Sequence, residues 1–229
     1  MSRYDRHRPL FSDQAWQRLL TTPALIAGVG GLGTNVAMQL SRLAAMRIEL
    51  WDPGVVDAPD LNRQILYGKD DIGAAKVECA RRRLEEVNPE LTVGTVCEAI
   101  DFERFREYSS VSDTAFVVFD CLDSFAARAG LSDIQNRLSC PIFHAGVESW
   151  YGQVTTLLPD GGGYKRAFGA DYGASSQPRK PILPHVVSTA AGYQVGEFLR
   201  WCESPGATPL SDALLYFDAR EMRVRRVEL

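Results

Sequence analysis

Apolar residues fall in short continuous runs that alternate with segments of helical spacing. The stretch to Thr22 is polar with spaced apolars (Leu10, Phe11, Trp16, Leu19, Leu20) and predicts a short helix. Ala24-Leu25-Ile26-Ala27-Gly28-Val29 is an apolar run ending in glycines, the pattern of a buried strand. Gly33 to Leu43 then repeats apolar residues at Val36, Leu40 and Leu43, and Arg47 to Asp52 predicts a second strand. Val77, Ala80, Leu84 and Val87 share one face of a helix over Gly73 to Val87, stopped by Asn88-Pro89. Leu91 to Val96 and Ala115 to Phe119 predict strands, and Ser124 to Leu138 a helix. Two strand-like runs lie in Pro141 to Leu158. A Gly-, Pro- and Ser-rich stretch from Pro159 to Pro181 predicts a long loop, His185 to Trp201 a helix, and Ala213 to Val227 a closing hairpin.

Strand and helix alternate to about residue 140 and then give way to adjacent strands. That order predicts the α/β class: a Rossmann-like, mostly parallel sheet with helices on both faces and an antiparallel C-terminal extension. No repeat and no Gly/Ser linker divides the chain. The expectation is a single domain over 1–229: an N-terminal arm (1–22), a nucleotide-binding core (23–140) and an extension (141–229) carrying the 159–181 loop.

Composition narrows the class. The 229 residues are 45% hydrophobic and 24% charged, as in ordinary globular proteins. A net charge of −4 speaks against nucleic acid held by bulk charge. No apolar run approaches the ~20 residues that span a bilayer, and the first residues lack the apolar stretch of a signal peptide. Five scattered cysteines, none in a C-x-x-C pair, point to a reduced, cytoplasmic setting.

Candidate chemistry begins at Gly28-Val29-Gly30-Gly31-Leu32-Gly33, which follows a strand and opens a helix. Glycines there permit a tight turn and let backbone N–H groups approach a phosphate at the helix N-terminus. Asp52 ends the next strand about 20 residues on, where a ribose-hydroxyl acceptor belongs, and its charge disfavours a 2′-phosphate. The same spacing satisfies a dinucleotide fingerprint, so residues 28 to 33 alone leave ATP and NAD both open. Arg63, in the polar run Asp60-Leu61-Asn62-Arg63-Gln64, and Lys76, one turn past Gly73, are candidate phosphate cations. Asp123 follows a buried strand and has two readings: a Mg²⁺ ligand, or the N-cap of the helix that begins near Ser124, with Asp120 as the alternative cap.

Taken in order, the motifs resemble those of the ThiF/MoeB/HesA family, the bacterial relatives of ubiquitin-activating enzymes. Arg3-Tyr4-Asp5-Arg6 resembles R-Y-x-R, Gly28 to Gly33 resembles G-x-G-G-L-G, and Leu61-Asn62-Arg63-Gln64 resembles L-x-R-Q. Gly73-Ala74-Ala75-Lys76 resembles G-x-x-K, Asn88-Pro89 the N-P that follows, Asp120 to Ser124 D-x-x-D-N, and Gly152-Gln153-Val154 G-Q-V. The resemblance implies Mg²⁺- and ATP-dependent adenylation of a carboxylate, chiefly the C-terminal glycine of a small ubiquitin-like or sulfur-carrier protein, by a homodimer. It implies that Gly28, Gly30, Gly31 and Gly33 cradle the nucleotide and Asp52 holds the ribose. It likewise implies that Arg63, Gln64 and Lys76 hold the phosphates, Asp123 binds Mg²⁺, and Arg6 reaches into the partner's site.

The chain departs from the family pattern at defined places. Asp60 stands where the family has Asn; a carboxylate there repels a triphosphate unless Mg²⁺ or Arg intervenes, and Asn62 is the substitute amide. Ser124 replaces the last Asn of D-x-x-D-N. The two C-x-x-C pairs of many members are missing, one near Gly163 to Phe168 and one after the 185–201 helix, where Cys202 is alone. The expectation is a member without zinc and without an acyl-accepting thiol in the 159–181 loop, which stops at the acyl-adenylate. Cys121, Cys140, Cys202, His144 and His185 read as structural. Trp150, Tyr151 and Phe168 are candidates for an acceptor-docking face. The alternatives are adenylation of a small-molecule carboxylate, an NAD-dependent dehydrogenase, for which Arg63, Lys76 and Asp123 would lack a role, and a non-catalytic scaffold subunit.

Overall fold

A computed structural model describes residues 2–45, 47–111, 113–159, 161–169 and 181–229. Eight strands form one sheet: β1 (Ala24–Ala27), β2 (Arg47–Trp51), β3 (Thr92–Val96), β4 (Val117–Asp120), β5 (Ile142–Glu148), β6 (Tyr151–Leu157), β7 (Ala213–Asp218) and β8 (Arg223–Glu228). Their order is β3-β2-β1-β4-β5-β6-β7-β8. Neighbours from β3 through β5 are parallel, and those from β5 through β8 antiparallel. Strand order reverses between β1 and β4, whose carboxyl ends meet at the Ala27–Asp120 pair. In open parallel sheets ligands bind outside the carboxyl ends of the strands at such a reversal.

Two helical layers cover the sheet. The helices are α1 (Asp13–Thr21), α2 (Gly31–Arg42), α3 (Lys76–Val87), α4 (Phe102–Tyr108), α5 (Phe125–Leu138), α6 (Gly163–Phe168) and α7 (Pro184–Glu203). Side chains alternate along a strand, so a strand covered on both faces reads as a continuous apolar run. In β1, Ala24 and Ile26 enter the core under α1, α2, α3 and α7, while Leu25 and Ala27 enter the core under α4, α5 and α6. β4 divides the same way, with Val117 and Phe119 on the first side and Val118 on the second. Among the described residues no helix is long and apolar enough to cross a membrane.

The structure amends several expectations. The 159–181 segment is not loop throughout: α6 occupies Gly163–Phe168, while residues 160 and 170–180 lie outside the described residues. Local pattern could not reveal α6, since left-handed glycines at 162 and 163 start it and its buried Tyr164 is held by a distant acid. α4 also escapes the periodicity reading, being only 7 residues long, although Asp101 caps it by accepting the Arg104 N–H at 2.8 Å. The helix after Gly73 begins only at Lys76, because Gly73 has φ +89°. The N-terminal stretch divides into a 3₁₀ turn (Arg8–Leu10) and α1, capped by Ser12.

The N-terminal arm is not a free polar tail. Arg3 donates to the Val87 carbonyl at 2.9 Å, and Asn88 bonds the Tyr4 hydroxyl at 3.4 Å. Tyr4, His7, Phe11 and Trp16 pack edge to face or tilted against one another. Spaced aromatics supply the anchorage that a continuous apolar run would have signalled.

Candidate active site

The glycine loop leaves β1 at the strand-order reversal and enters α2. Gly28 has φ +89°, and a Cβ on it would lie 2.7 Å from the Cys121 carbonyl oxygen. A Cβ on Gly33 would lie 1.9 Å from the Gly28 carbonyl oxygen, so the loop closes on itself only without side chains. Gly30 is the N-cap of α2 and provides no side-chain acceptor, which leaves the first amides of the helix for an anion. The Val29 carbonyl accepts from the buried Tyr67 hydroxyl at 2.7 Å. Burial, reinforced by Asp52, pushes the Tyr67 pKa up, so the phenol stays a neutral donor.

Asp52 is tied to this loop. One oxygen accepts the Val29 N–H at 2.7 Å and the other the Gly54 N–H at 2.8 Å. The stem of Lys76 passes beside Gly54, and that of Arg63 lies over Gly31. Gln64 is buried and turns its amide nitrogen toward Gly30, and among the described residues its side-chain oxygen has no partner. The nitrogen can donate to a phosphate oxygen, while the oxygen, an acceptor, suits a hydrogen-bond donor. Asn62, the expected substitute amide, accepts from Arg63 Nη1 at 2.8 Å and so faces its own loop.

Asp60 does not stand as an unpaired repulsive charge. It is buried, with Lys76 Nζ at 3.1 Å from one oxygen and Arg63 Nη2 at 3.3 Å from the other. Its reciprocal cap with Asp57 at the start of the 58–62 turn was not visible in the motif. Asn35, also missed, bonds the Gly31 carbonyl at 2.9 Å and accepts from Ser188, which fastens α2 to α7 beside the loop.

Opposite the glycine loop, the segment after β4 carries Asp123. Its carboxylate is exposed, with no hydrogen bond or ion pair among the described residues. The capping alternative is resolved: Ser124 is the N-cap of α5, accepting the Ala127 N–H at 3.3 Å, and its hydroxyl is engaged there. Asp120 is instead the centre of a buried cluster. It accepts from Arg128 Nε at 2.8 Å, the Tyr164 hydroxyl at 2.8 Å and His144 Nδ1 at 2.5 Å. Burial alone would push the Asp120 carboxyl up, but Arg128 and His144 hold it well below the usual carboxylate range. Arg128 also donates to the Leu122 carbonyl at 2.6 Å, clamping the turn that presents Asp123. A wholly buried acid at a strand end requires a cation; Arg128, eight residues on, was the available one.

Burial lowers the His144 pKa, and the neutral ring then donates from Nδ1 to Asp120 and turns Nε2 toward Gln153, 3.5 Å away. Cys121, Cys140 and Cys202 are buried, and burial pushes the last two thiols up to about 12. Cys97 is exposed. Trp150 and Tyr151 are exposed at the β5–β6 turn, with Tyr151 stacked on Tyr216; Phe168 packs on His144 instead. His185 meets Trp150 edge to face.

Arg6 is exposed and has no hydrogen bond or ion pair among the described residues. Its neighbour Tyr4 is joined through Asn88 to the Ser41 carbonyl, in the last turn of α2. Ten residues of helix at 1.5 Å each put that point about 15 Å from Gly31. The structure therefore brings Gly28 to Gly33, Asp52, Arg63, Gln64 and Lys76 together, places Asp123 just past the β4 end at the same reversal, and carries Arg6 on an arm fastened at the end of α2 away from the glycine loop. Among the described residues no group of three or more His, Cys, Asp and Glu side chains is placed to hold a metal. Mg²⁺ on a polyphosphate needs fewer, since phosphate and water oxygens complete its shell, and a lone exposed carboxylate at Asp123 fits that donor set.

Sheet order, glycine loop and flanking cations define a nucleotide-binding protein of the Rossmann-like class. The chain belongs to the ThiF family, whose model matches residues 4–229. It is 28% identical over 232 residues to the SAMP-activating enzyme E1 of Haloferax volcanii, covering 99% of this chain and 84% of that one. It is 31% identical over 143 residues to the sulfur carrier protein ThiS adenylyltransferase of Escherichia coli, covering 62% of this chain and 56% of that one. The crystal structure of Escherichia coli MccB with ATP shares the fold, with TM-score 0.80 and 18% identity over 100% of this chain and 71% of that one. Family membership places the chain in the adenylyltransferase class, which the name of the ThiS relative carries.

Proposed function

We propose that this chain binds ATP with Mg²⁺ and adenylates a carboxylate, the acceptor being the C-terminal glycine of a small ubiquitin-like or sulfur-carrier protein. The convergence of the glycine loop, Asp52, Arg63, Gln64 and Lys76 at the β1–β4 reversal carries the reading. The relatives' named activities favour a protein acceptor. In the reaction an acceptor carboxylate oxygen bonds to the α-phosphorus as the bond to the bridging α–β oxygen breaks. The products are acyl-adenylate and pyrophosphate.

Each residue has a defined task. The first amides of α2 meet phosphate oxygens, and Asp52 accepts from a ribose hydroxyl with the lone pairs left by Val29 and Gly54. Arg63 and Lys76 neutralise the phosphates and Gln64 helps orient them; Asp123 would hold Mg²⁺, whose charge would offset that of the pyrophosphate. Such a set catalyses by positioning and charge, so no acid–base pair is needed. Arg3 and Tyr4 fasten the arm at the end of α2 away from the glycine loop, which supports a homodimer in which Arg6 serves the partner's site. The thiols, four of them buried, suit the cytoplasm, and we expect no structural zinc.

The test is ATP–pyrophosphate exchange against Gly-Gly-tailed small proteins and carboxylate metabolites from the same organism. Exchange that depends on a tailed protein is the expected result. Exchange with metabolites alone would move the acceptor to a small molecule; no exchange with any acceptor would reject catalysis and favour a scaffold role.

A further inference from the structure

The most unusual feature of the site is a carboxylate between its two candidate phosphate cations. Asp60 places one oxygen 3.1 Å from Lys76 Nζ and the other 3.3 Å from Arg63 Nη2. All three side chains are sheltered, with 10% of Asp60, 15% of Lys76 and 23% of Arg63 exposed, so solvent screens the cluster only in part. Arg63 Nη1 is also engaged locally, shared between the Pro59 carbonyl and Asn62. The carboxylate is fixed as well, accepting the Asp57 N–H within the reciprocal cap. Asp60 cannot swing away when an anion arrives without breaking that turn.

We infer that Asp60 is a shared internal counter-ion of Lys76 and Arg63: it holds them as one preassembled clamp while cancelling one of their two positive charges, and so weakens the site's grip on any polyphosphate. Resting on the reading of those cations as phosphate ligands, this deepens the proposed function. A phosphate oxygen touching both cations lies about 6 Å from the carboxylate, where like charges at a sheltered protein surface still repel appreciably. The consequence is a chain that binds nucleotide and pyrophosphate more weakly, and releases them more readily, than one with a neutral amide at position 60.

The experiment measures dissociation constants for inorganic tripolyphosphate and for Mg-ATP by calorimetry at several salt concentrations. It compares wild type, Asp60→Asn and Asp60→Glu. Asp60→Asn should bind both ligands roughly 3- to 10-fold more tightly, with a steeper salt dependence. Asp60→Glu, which keeps the charge, should bind no more tightly than wild type. A merely structural Asp60 predicts the opposite sign for Asp60→Asn, because a loosened clamp binds less well. Equal or weaker binding by folded Asp60→Asn overturns the inference and leaves the proposed function standing if wild type still exchanges pyrophosphate. Tighter tripolyphosphate binding without exchange on any acceptor keeps the inference and rejects the proposed function. If neither ligand binds any of the three proteins, both fall. Should Asp60→Asn not fold, Asp60→Ser carries the same expected sign, and failure of both to fold makes Asp60 a fold requirement and rejects the inference.

Discussion

Asp52 Oδ2 accepts the Val29 backbone N–H at 2.7 Å, so the acid that ends β2 is fastened to the loop that ends β1. One carboxylate thereby fixes the shape of the glycine loop, and on the proposed function it would also set the sugar position. Asp52→Ala should leave the Val29 and Gly54 amides without their acceptor, which costs about 1–3 kcal/mol when such groups are buried. Mg-ATP affinity should fall by at least ~10-fold, since a lost hydrogen bond to a charged group corresponds to about 1.5–3 kcal/mol. Asp52→Asn keeps one of the two acceptor oxygens and should recover part of the stability but little of the affinity. Calorimetry with thermal melts separates the two, and unchanged ATP affinity in both variants would remove Asp52 from the site.

Lys76 pairs with Asp60 beside the glycine loop and Asp123 follows β4 at the strand-order reversal, and neither caps a helix. Lys76→Ala and Asp123→Ala should each slow pyrophosphate exchange by ~10²–10³, the usual cost of losing one preorganised charge on a transferring phosphoryl group. Asp123→Ala should keep wild-type stability because Ser124 is the cap of α5. A drop of ~1 kcal/mol in that variant would return Asp123 to the capping role.

Much of this arrangement could be read from residue order. The glycine loop, Asp52 and the switch from alternating to adjacent strands are local signals, because buried parallel strands are apolar runs and phosphate turns need glycine. What escaped depends on distant partners. The pairing of Asp60 is hidden in the sequence because its partners Lys76 and Arg63 join a 3₁₀ turn to another helix. α6 was hidden because Tyr164 is anchored by Asp120, 44 residues earlier in the chain. The anchorage of the N-terminal arm is not legible locally because Tyr4 and Arg3 find their partners at Asn88 and Val87.

Metal analysis of purified protein should find no stoichiometric zinc. Tetrahedral zinc takes about four N or S ligands, and four of the five thiols are buried singly in the structure. One zinc per chain that persists through chelator dialysis would overturn the reading of the Gly163–Phe168 region.

The Asp120 cluster makes stability depend on pH through His144. Burial holds its folded pKa below the ordinary 6.5, while Asp120 opposes that shift only in part. Between the folded value and 6.5 the unfolded chain binds more protons, so stability rises with pH there. The contribution is fully present above about pH 6.5 and is lost as pH falls toward the folded value, at up to ~1.4 kcal/mol per unit. His144→Asn can still donate to Asp120 but cannot titrate, so its stability should vary less between pH 7.5 and 5.5. Parallel denaturation curves for both proteins across that range would exclude His144 as the source.

Arg6 should act in trans. It is exposed, on a segment that Arg3 and Tyr4 fasten to the end of α3 and, through Asn88, to Ser41 in the last turn of α2, the end away from the glycine loop. That placement favours service to the site of a second copy of the chain. A C2 dimer is the commonest soluble assembly, and a donated arginine neutralises charge on a leaving pyrophosphate as arginine fingers do elsewhere. Arg6→Ala and Asp123→Ala homodimers should both be nearly inactive. After subunit exchange, a heterodimer places both lesions in one site and leaves the other whole. Half the dimers then carry one working site of two, and exchange activity should return to about a quarter of wild type. If mixing restores nothing although native mass spectrometry shows heterodimers, Arg6 does not complete the partner's site.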